Sequence, residues 1–153
     1  MAEARRAKLP FETGGFLLGS RRGNHVDVSG VTQQGAKDVA TRSTFERADP
    51  SHEDQIHREW EATGGRSSLV GDWHSHPEGD GSPSGRDRAA WRKLTAANKS
   101  DCIGVIVTEN PLPRVFLATC RKPFSSVIEL RLVGDAGADV LFALSEAGTY
   151  NGK

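Results

Sequence analysis

The run Cys102-Ile103-Gly104-Val105-Ile106-Val107-Thr108-Glu109 is the most apolar stretch of this 153-residue chain. It is short and rich in β-branched residues, so it reads as the central strand of a sheet. A central strand needs neighbours on both sides, and the chain supplies candidates. Residues 14–22 form a short apolar run bracketed by glycines. Arg22-Gly23-Asn24 signals a turn. Residues 25–32 then alternate Val26, Val28 and Val31 with polar residues, and the slip at Gly30 reads as a bulge. Residues 41–48 are a weaker strand and 68–76 (SLVGDWHSH) a stronger one. Residues 114–120 and 126–133 finish a meander, and Leu141 to Leu144 add a last short element.

Three segments read as helices. Residues 2–9 are rich in Ala, Arg and Lys and stop near Pro10. Asp49-Pro50-Ser51 opens a second helix that ends at Gly64-Gly65 and places Ile56, Trp60 and His52 on one face. The third runs from Ser84 to about Asn98. Ala89, Ala90, Leu94 and Ala97 are its expected buried face, with Trp91 flanking. His52 and His57 are expected at the surface. With no repeat and no internal boundary, the pattern is α+β: a mixed sheet of about six strands flanked by helices. One domain spans residues 1–153, with a loose tail after about residue 134.

Twenty basic residues balance twenty acidic ones, which argues against nucleic acid or an anionic membrane as the main partner. No apolar run reaches the length of a membrane span, and the first fifteen residues hold no apolar signal core. Cys102 and Cys120 lie too far apart for a zinc ribbon or a redox CxxC pair. They read as two reduced, buried thiols of a cytoplasmic protein.

The chemistry concentrates in Trp73-His74-Ser75-His76-Pro77-Glu78-Gly79-Asp80-Gly81-Ser82-Pro83-Ser84-Gly85-Arg86-Asp87. On a strand, residues i and i+2 share a face, so His74 and His76 project side by side while Ser75 and Trp73 point away. Pro77 ends the strand, and Asp87 falls in the first turn of the next helix. Two imidazoles and a carboxylate suit zinc and leave one tetrahedral position open for a water. Ser84-Gly85-Arg86-Asp87 also reads as a capping box, a second role the same residues can hold. Hydrolysis needs a proton carrier as well. Glu12, just before the strand at 14–22, is the candidate, although spacing alone does not bring it to His74.

Glu12 with Gly15-Phe16-Leu17-Leu18-Gly19, then His74-Ser75-His76-Pro77, six residues, and Ser84-Gly85-Arg86-Asp87, resembles the JAMM signature of the JAB/MPN metalloproteases. The likeness covers residues 11 to about 109. It implies the JAB/MPN fold, with His74, His76 and Asp87 holding one Zn²⁺ per chain. It further implies that Glu12 is the base that activates the zinc-bound water, and that Ser84 donates to the oxyanion. The wording around the motif is similar to bacterial JAB peptidases of CBASS anti-phage operons. That likeness implies an isopeptidase acting on the bond between a ubiquitin-like or cGAS-like nucleotidyltransferase C-terminus and a target amine, beside an E1/E2-like conjugation system. The alternatives are a JAB hydrolase of a sulfur-carrier or other small peptide or amide, and a non-catalytic MPN scaffold.

Overall fold

The computed structural model describes residues 1–120, 126–136 and 139–144. In chain order the elements are α1 (Ala2–Lys8), β1 (Gly14–Arg22), β2 (His25–Val31), β3 (Val39–Ala40), β4 (Phe45–Glu46), α2 (Ser51–Ala62), β5 (Ser68–Ser75), α3 (Gly85–Asn98), β6 (Cys102–Val107), β7 (Arg114–Ala118), β8 (Val127–Ala136) and β9 (Asp139–Leu144). The apolar run is β6. It is buried at every position and lies at the middle of a seven-stranded sheet ordered β2-β1-β5-β6-β7-β8-β9. Every neighbouring pair in that sheet is antiparallel except β5 and β6. A parallel pair needs a crossover, and α3 supplies it. This connection carries the chain from the end of β5, through the loop after Pro77, to the start of α3.

The two sheet faces hold separate apolar clusters. Leu17, Val70, Trp73, Val105 and Val115 form the larger one, against which Ala4 of α1 packs. Ile106, Phe116, Ala118 and Trp91 of α3 form the other. Alternation along β6 explains the division: Val105 and Val107 face one way and Ile106 the other. Gly104 lies on the α3 side, where a Cβ would overlap the Trp91 ring. The indole therefore settles directly on the strand backbone.

Several sequence expectations change here. The buried face of α3 is Trp91 and Thr95 with Leu94 half-buried, whereas Ala89, Ala90 and Ala97 are exposed. Alanines cannot reach across the gap that an indole seated on Gly104 sets between helix and sheet. On α2, Trp60 is 49% exposed and stacks on His57, while His52 is buried. His52 joins Asp38 through Nε2 (2.8 Å) and Thr32 through Nδ1 (2.7 Å), so both ring nitrogens are partnered without water. The strand expected over 41–48 shrinks to Phe45–Glu46, because Thr41 and Thr44 close a turn on themselves. Thr41 N–H donates to Thr44 O at 2.9 Å, and the two hydroxyls lie 2.8 Å apart. Cys102 is buried but Cys120 is exposed.

The bulge near Gly30 is present, since Leu18 pairs with Gly30 and Gly19 with Val28. The sheet runs on past residue 134 through Ala136 and again over Asp139–Leu144, pairing β8 with β9. Residues 145–153 of the expected tail lie outside the described residues. Among the described residues, no helix is long and apolar enough to cross a membrane.

Candidate metal centre

Strand register brings the expected residues together. Gly14 of β1 lies opposite His74 of β5. One step further, Ser75 N–H donates to Thr13 O (2.7 Å), and Thr13 N–H donates to Ser75 Oγ (3.0 Å). These bonds carry the ladder past the end of β1 and deliver Glu12 beside the histidines. Glu12 is only 5% exposed. It lines a small cleft of about 40 Å³ together with His74, Asp87, Arg86, Asp72, Trp91 and the segment from Ser43 to Phe45. Gly14 must be glycine for this approach: a Cβ there would lie 2.5 Å from Trp73 O and 2.7 Å from the Phe45 ring.

The third side of the cleft is the start of α3. Ser84 is its N-cap, and the capping box is complete. Asp87 N–H donates to Ser84 Oγ (3.2 Å), and Ser84 N–H donates to Asp87 Oδ2 (2.6 Å). The same carboxylate faces the imidazoles, with Oδ1 3.2 Å from His74 Nε2 and Oδ2 3.6 Å from His76 Nε2. Capping and facing the histidines are thus not alternatives. The cap fixes the carboxylate that the histidines meet. The loop between is held from outside by Arg5, which donates to Pro77 O (3.1 Å), and by Arg114, which donates to Asp80 O (3.2 Å) and Ser82 Oγ (2.9 Å).

His74 Nε2 and His76 Nε2 are 3.1 Å apart. Two imidazole lone pairs at that distance repel unless a cation or proton lies between them. The three residues offer ligand atoms that all lie within 4.8 Å of one another. The His74–His76 separation of 3.1 Å and the 3.2 Å from His74 Nε2 to Asp87 Oδ1 lie near the ~3.3 Å edge of a tetrahedron with zinc–nitrogen and zinc–oxygen bonds of about 2.0–2.1 Å, while His76 meets the other carboxylate oxygen. The donor set and its spacing therefore fit a zinc-sized ion.

The electrostatics agree. Burial alone would raise the Asp87 carboxyl. Hydrogen bonds from His74 and His76, the His74 charge and the Ser84 hydroxyl outweigh it and hold the group far below the usual carboxylate range. His76 is raised, first by its hydrogen bond to Asp87, against burial and with help from the charges of Glu12, Asp87 and Asp80. Burial raises Glu12, opposed mainly by the charges of His74 and His76.

A raised folded-state His76 stabilises the metal-free fold below the unfolded pKa, and that contribution is lost as pH rises through the folded value. A metal needs the neutral imidazole, so its stabilisation grows over the same span. The melting temperatures of metal-loaded and metal-free protein are expected to diverge as pH rises past the ordinary imidazole value of about 6.5. Thermal scans on both sides of that value check this, and a constant gap would contradict it.

Sequence reasoning missed two residues. Asp72 is buried on the same face of β5 as His74, and Arg47 enters from the loop before α2 to meet it at 3.2 Å. The signal for Asp72 was present: an acidic residue two before a site histidine in a strand of period two. Nothing in the sequence pointed to Arg47. Arg86 is exposed at the cleft, while Glu78 and Asp80 are exposed on the loop.

A model of the family described as prokaryotic homologues of the JAB domain matches residues 1–120. Over 103 residues the chain is 40% identical to a CD-NTase/cGAS isopeptidase of Pseudomonas aeruginosa, a match covering 66% of this chain and 65% of that one. Over 89 residues it is 33% identical to a CD-NTase/cGAS isopeptidase of Vibrio cholerae, covering 58% of this chain and 57% of the other. The chain thus spans 57% to 65% of the length of these curated relatives. The solution structure of a protein from Desulfitobacterium hafniense has a TM-score of 0.60 and 23% identity, covering 88% of this chain and 87% of that one. That likeness bears on the fold alone.

Proposed function

Because this chain belongs to the family of prokaryotic JAB-domain proteins, we propose that it is a zinc-dependent isopeptidase. Its substrate is a CD-NTase, a cGAS-like nucleotidyltransferase, joined through its C-terminus to a target amine by an E1/E2-like conjugation system in anti-phage CBASS defence. The observation that carries the reading is that Glu12 lines one cleft with His74 and Asp87, the two residues that converge with His76 as a ligand set. The relatives named as CD-NTase/cGAS isopeptidases support the substrate class. A complete ligand set with a buried acid beside it argues against the scaffold alternative.

His74, His76 and Asp87 would hold the ion, which when bound supplies a Lewis acid and acidifies water. Glu12 takes a proton from the attacking water and returns it to the leaving amine. Its burial, which raises the carboxyl, suits a group that must both accept and donate. Ser84 donates its hydroxyl to the developing oxyanion, as preorganised donors do in amide hydrolysis.

The test is incubation of the zinc-loaded protein with three conjugates made to the same amine. One carries a CD-NTase C-terminal tail, one a ubiquitin-like tail and one a sulfur-carrier tail. Release of the first at least about tenfold faster than the others, a difference of about 1.4 kcal/mol in transition-state binding, is the expected result. Preference for the sulfur-carrier tail would replace this reading with a JAB hydrolase of that substrate.

A further inference from the structure

We propose that Asp72 is a positioning residue for the metal centre, acting through the Trp91 indole to set where α3 presents Asp87 to the two histidines. This rests on the metal reading given above. Asp72 is 4% exposed and two residues before His74, on the same face of β5. Trp91 is 0% exposed and four residues after Asp87, on the same face of α3. Trp91 Nε1–H donates to Asp72 Oδ1 at 2.6 Å. One buried bond therefore joins a residue beside one ligand to a residue one helical turn from another. His74 and Asp87 become two ends of a closed frame made from a strand, a helix and this bond.

Each part of the frame is fixed from another side. The Trp91 ring lies against Gly104, where a Cβ would overlap it, and stacks on Phe116 with centroids 5.3 Å apart. Its centroid is 6.4 Å from that of His74. The second oxygen of Asp72 meets Arg47 at 3.2 Å. Arg47 also donates to Gly15 O (2.9 Å) and Trp73 O (2.8 Å) and lies over the rings of Phe16 and Phe45. Both carboxylate oxygens thus have a directed partner, and the guanidinium ties in the cleft wall around Phe45.

Packing alone does not account for this choice of residue. An apolar side chain of similar size would fill the space without the desolvation that a buried carboxylate and guanidinium suffer. What the carboxylate adds is direction: it holds the indole, and so the helix, in one place. Ligands kept in place by such outer contacts typically lose about 10–100-fold in metal affinity when the contact is removed.

The experiment is a Co²⁺ titration of metal-free protein, read by visible absorption, on wild type, Trp91→Phe, Asp72→Ala, Asp72→Asn and Val115→Ala. Trp91→Phe keeps an aromatic ring on Gly104 and Phe116 but removes the N–H. Asp72→Asn keeps an oxygen for the indole. Val115→Ala loosens the core on the other face and reports on general loss of stability. The expected result is an affinity about tenfold or more weaker, with an altered absorption band, in Trp91→Phe and Asp72→Ala. Asp72→Asn recovers most of the loss, and Val115→Ala binds as wild type does. Wild-type affinity and spectrum in both Trp91→Phe and Asp72→Ala would overturn the proposal, as would an equal loss in Val115→Ala. Wild-type protein that takes up no Co²⁺ is a different result: it contradicts the metal reading itself, and this proposal falls with it.

Discussion

Replacing Glu12 by glutamine is expected to lower the rate of conjugate cleavage by roughly a thousandfold, within the usual range for loss of a general acid–base group, while leaving the bound metal in place. The carboxamide has nearly the same shape and fills the same buried position, but it cannot take a proton from water. Glu12 is not among the residues whose ligand atoms converge, so the site should load normally. The substitution also removes a buried acid whose charged form is disfavoured by desolvation, so the melting temperature should hold or rise. Measuring kcat and metal content on the same preparation checks both halves. Full activity in this variant would remove Glu12 from the mechanism. Inactivity with loss of metal would make it a ligand.

Replacing Asp87 by alanine is expected to have two effects of different size. The carboxylate both faces the histidines and closes the capping box with Ser84. Loss of the cap costs about 1 kcal/mol, near the middle of the range for such bonds. Loss of a ligand should weaken the metal by several orders of magnitude and abolish cleavage. Ser84→Ala separates the two. It removes the hydroxyl that accepts from Asp87 N–H and keeps the carboxylate, so it should cost stability of similar size while the metal stays bound. Metal content and thermal unfolding of both variants decide the matter. Stoichiometric metal in Asp87→Ala would show that this carboxylate caps its helix and does nothing more at the site.

The grouping of His74, His76 and Asp87 was legible before the fold, because the ligation proposed for them would impose spacing. Two histidines at i and i+2, a strand-ending proline and an acid in the first turn of a helix are local facts. Glu12 was visible as a chemical need, and its place became clear only through the β1–β5 register. The parts that were not legible share a cause: they depend on what one large side chain does across an interface. The alanine stripe of α3 matched a buried helical face by period, yet Trp91 seated on Gly104 turned a different face inward. His52 looked like a surface histidine on an acid-rich helix. It is buried because Asp38 and Thr32, from a loop and a strand edge distant in sequence, satisfy both ring nitrogens. Arg47 could not be foreseen at all, since its partners are two backbone carbonyls and a buried carboxylate brought together by the sheet.

On the reading proposed above, His74, His76 and Asp87 hold a zinc ion that the chemistry requires. The measurement that tests that reading most directly is the zinc content of purified protein by elemental analysis, after loading with zinc and removal of excess, with His76→Ala alongside. About one zinc per chain in the wild type, as a single catalytic site of this donor type holds, and nearly none in the variant, is the result expected. A wild-type protein that keeps no zinc, or a variant that keeps as much as the wild type, would contradict it.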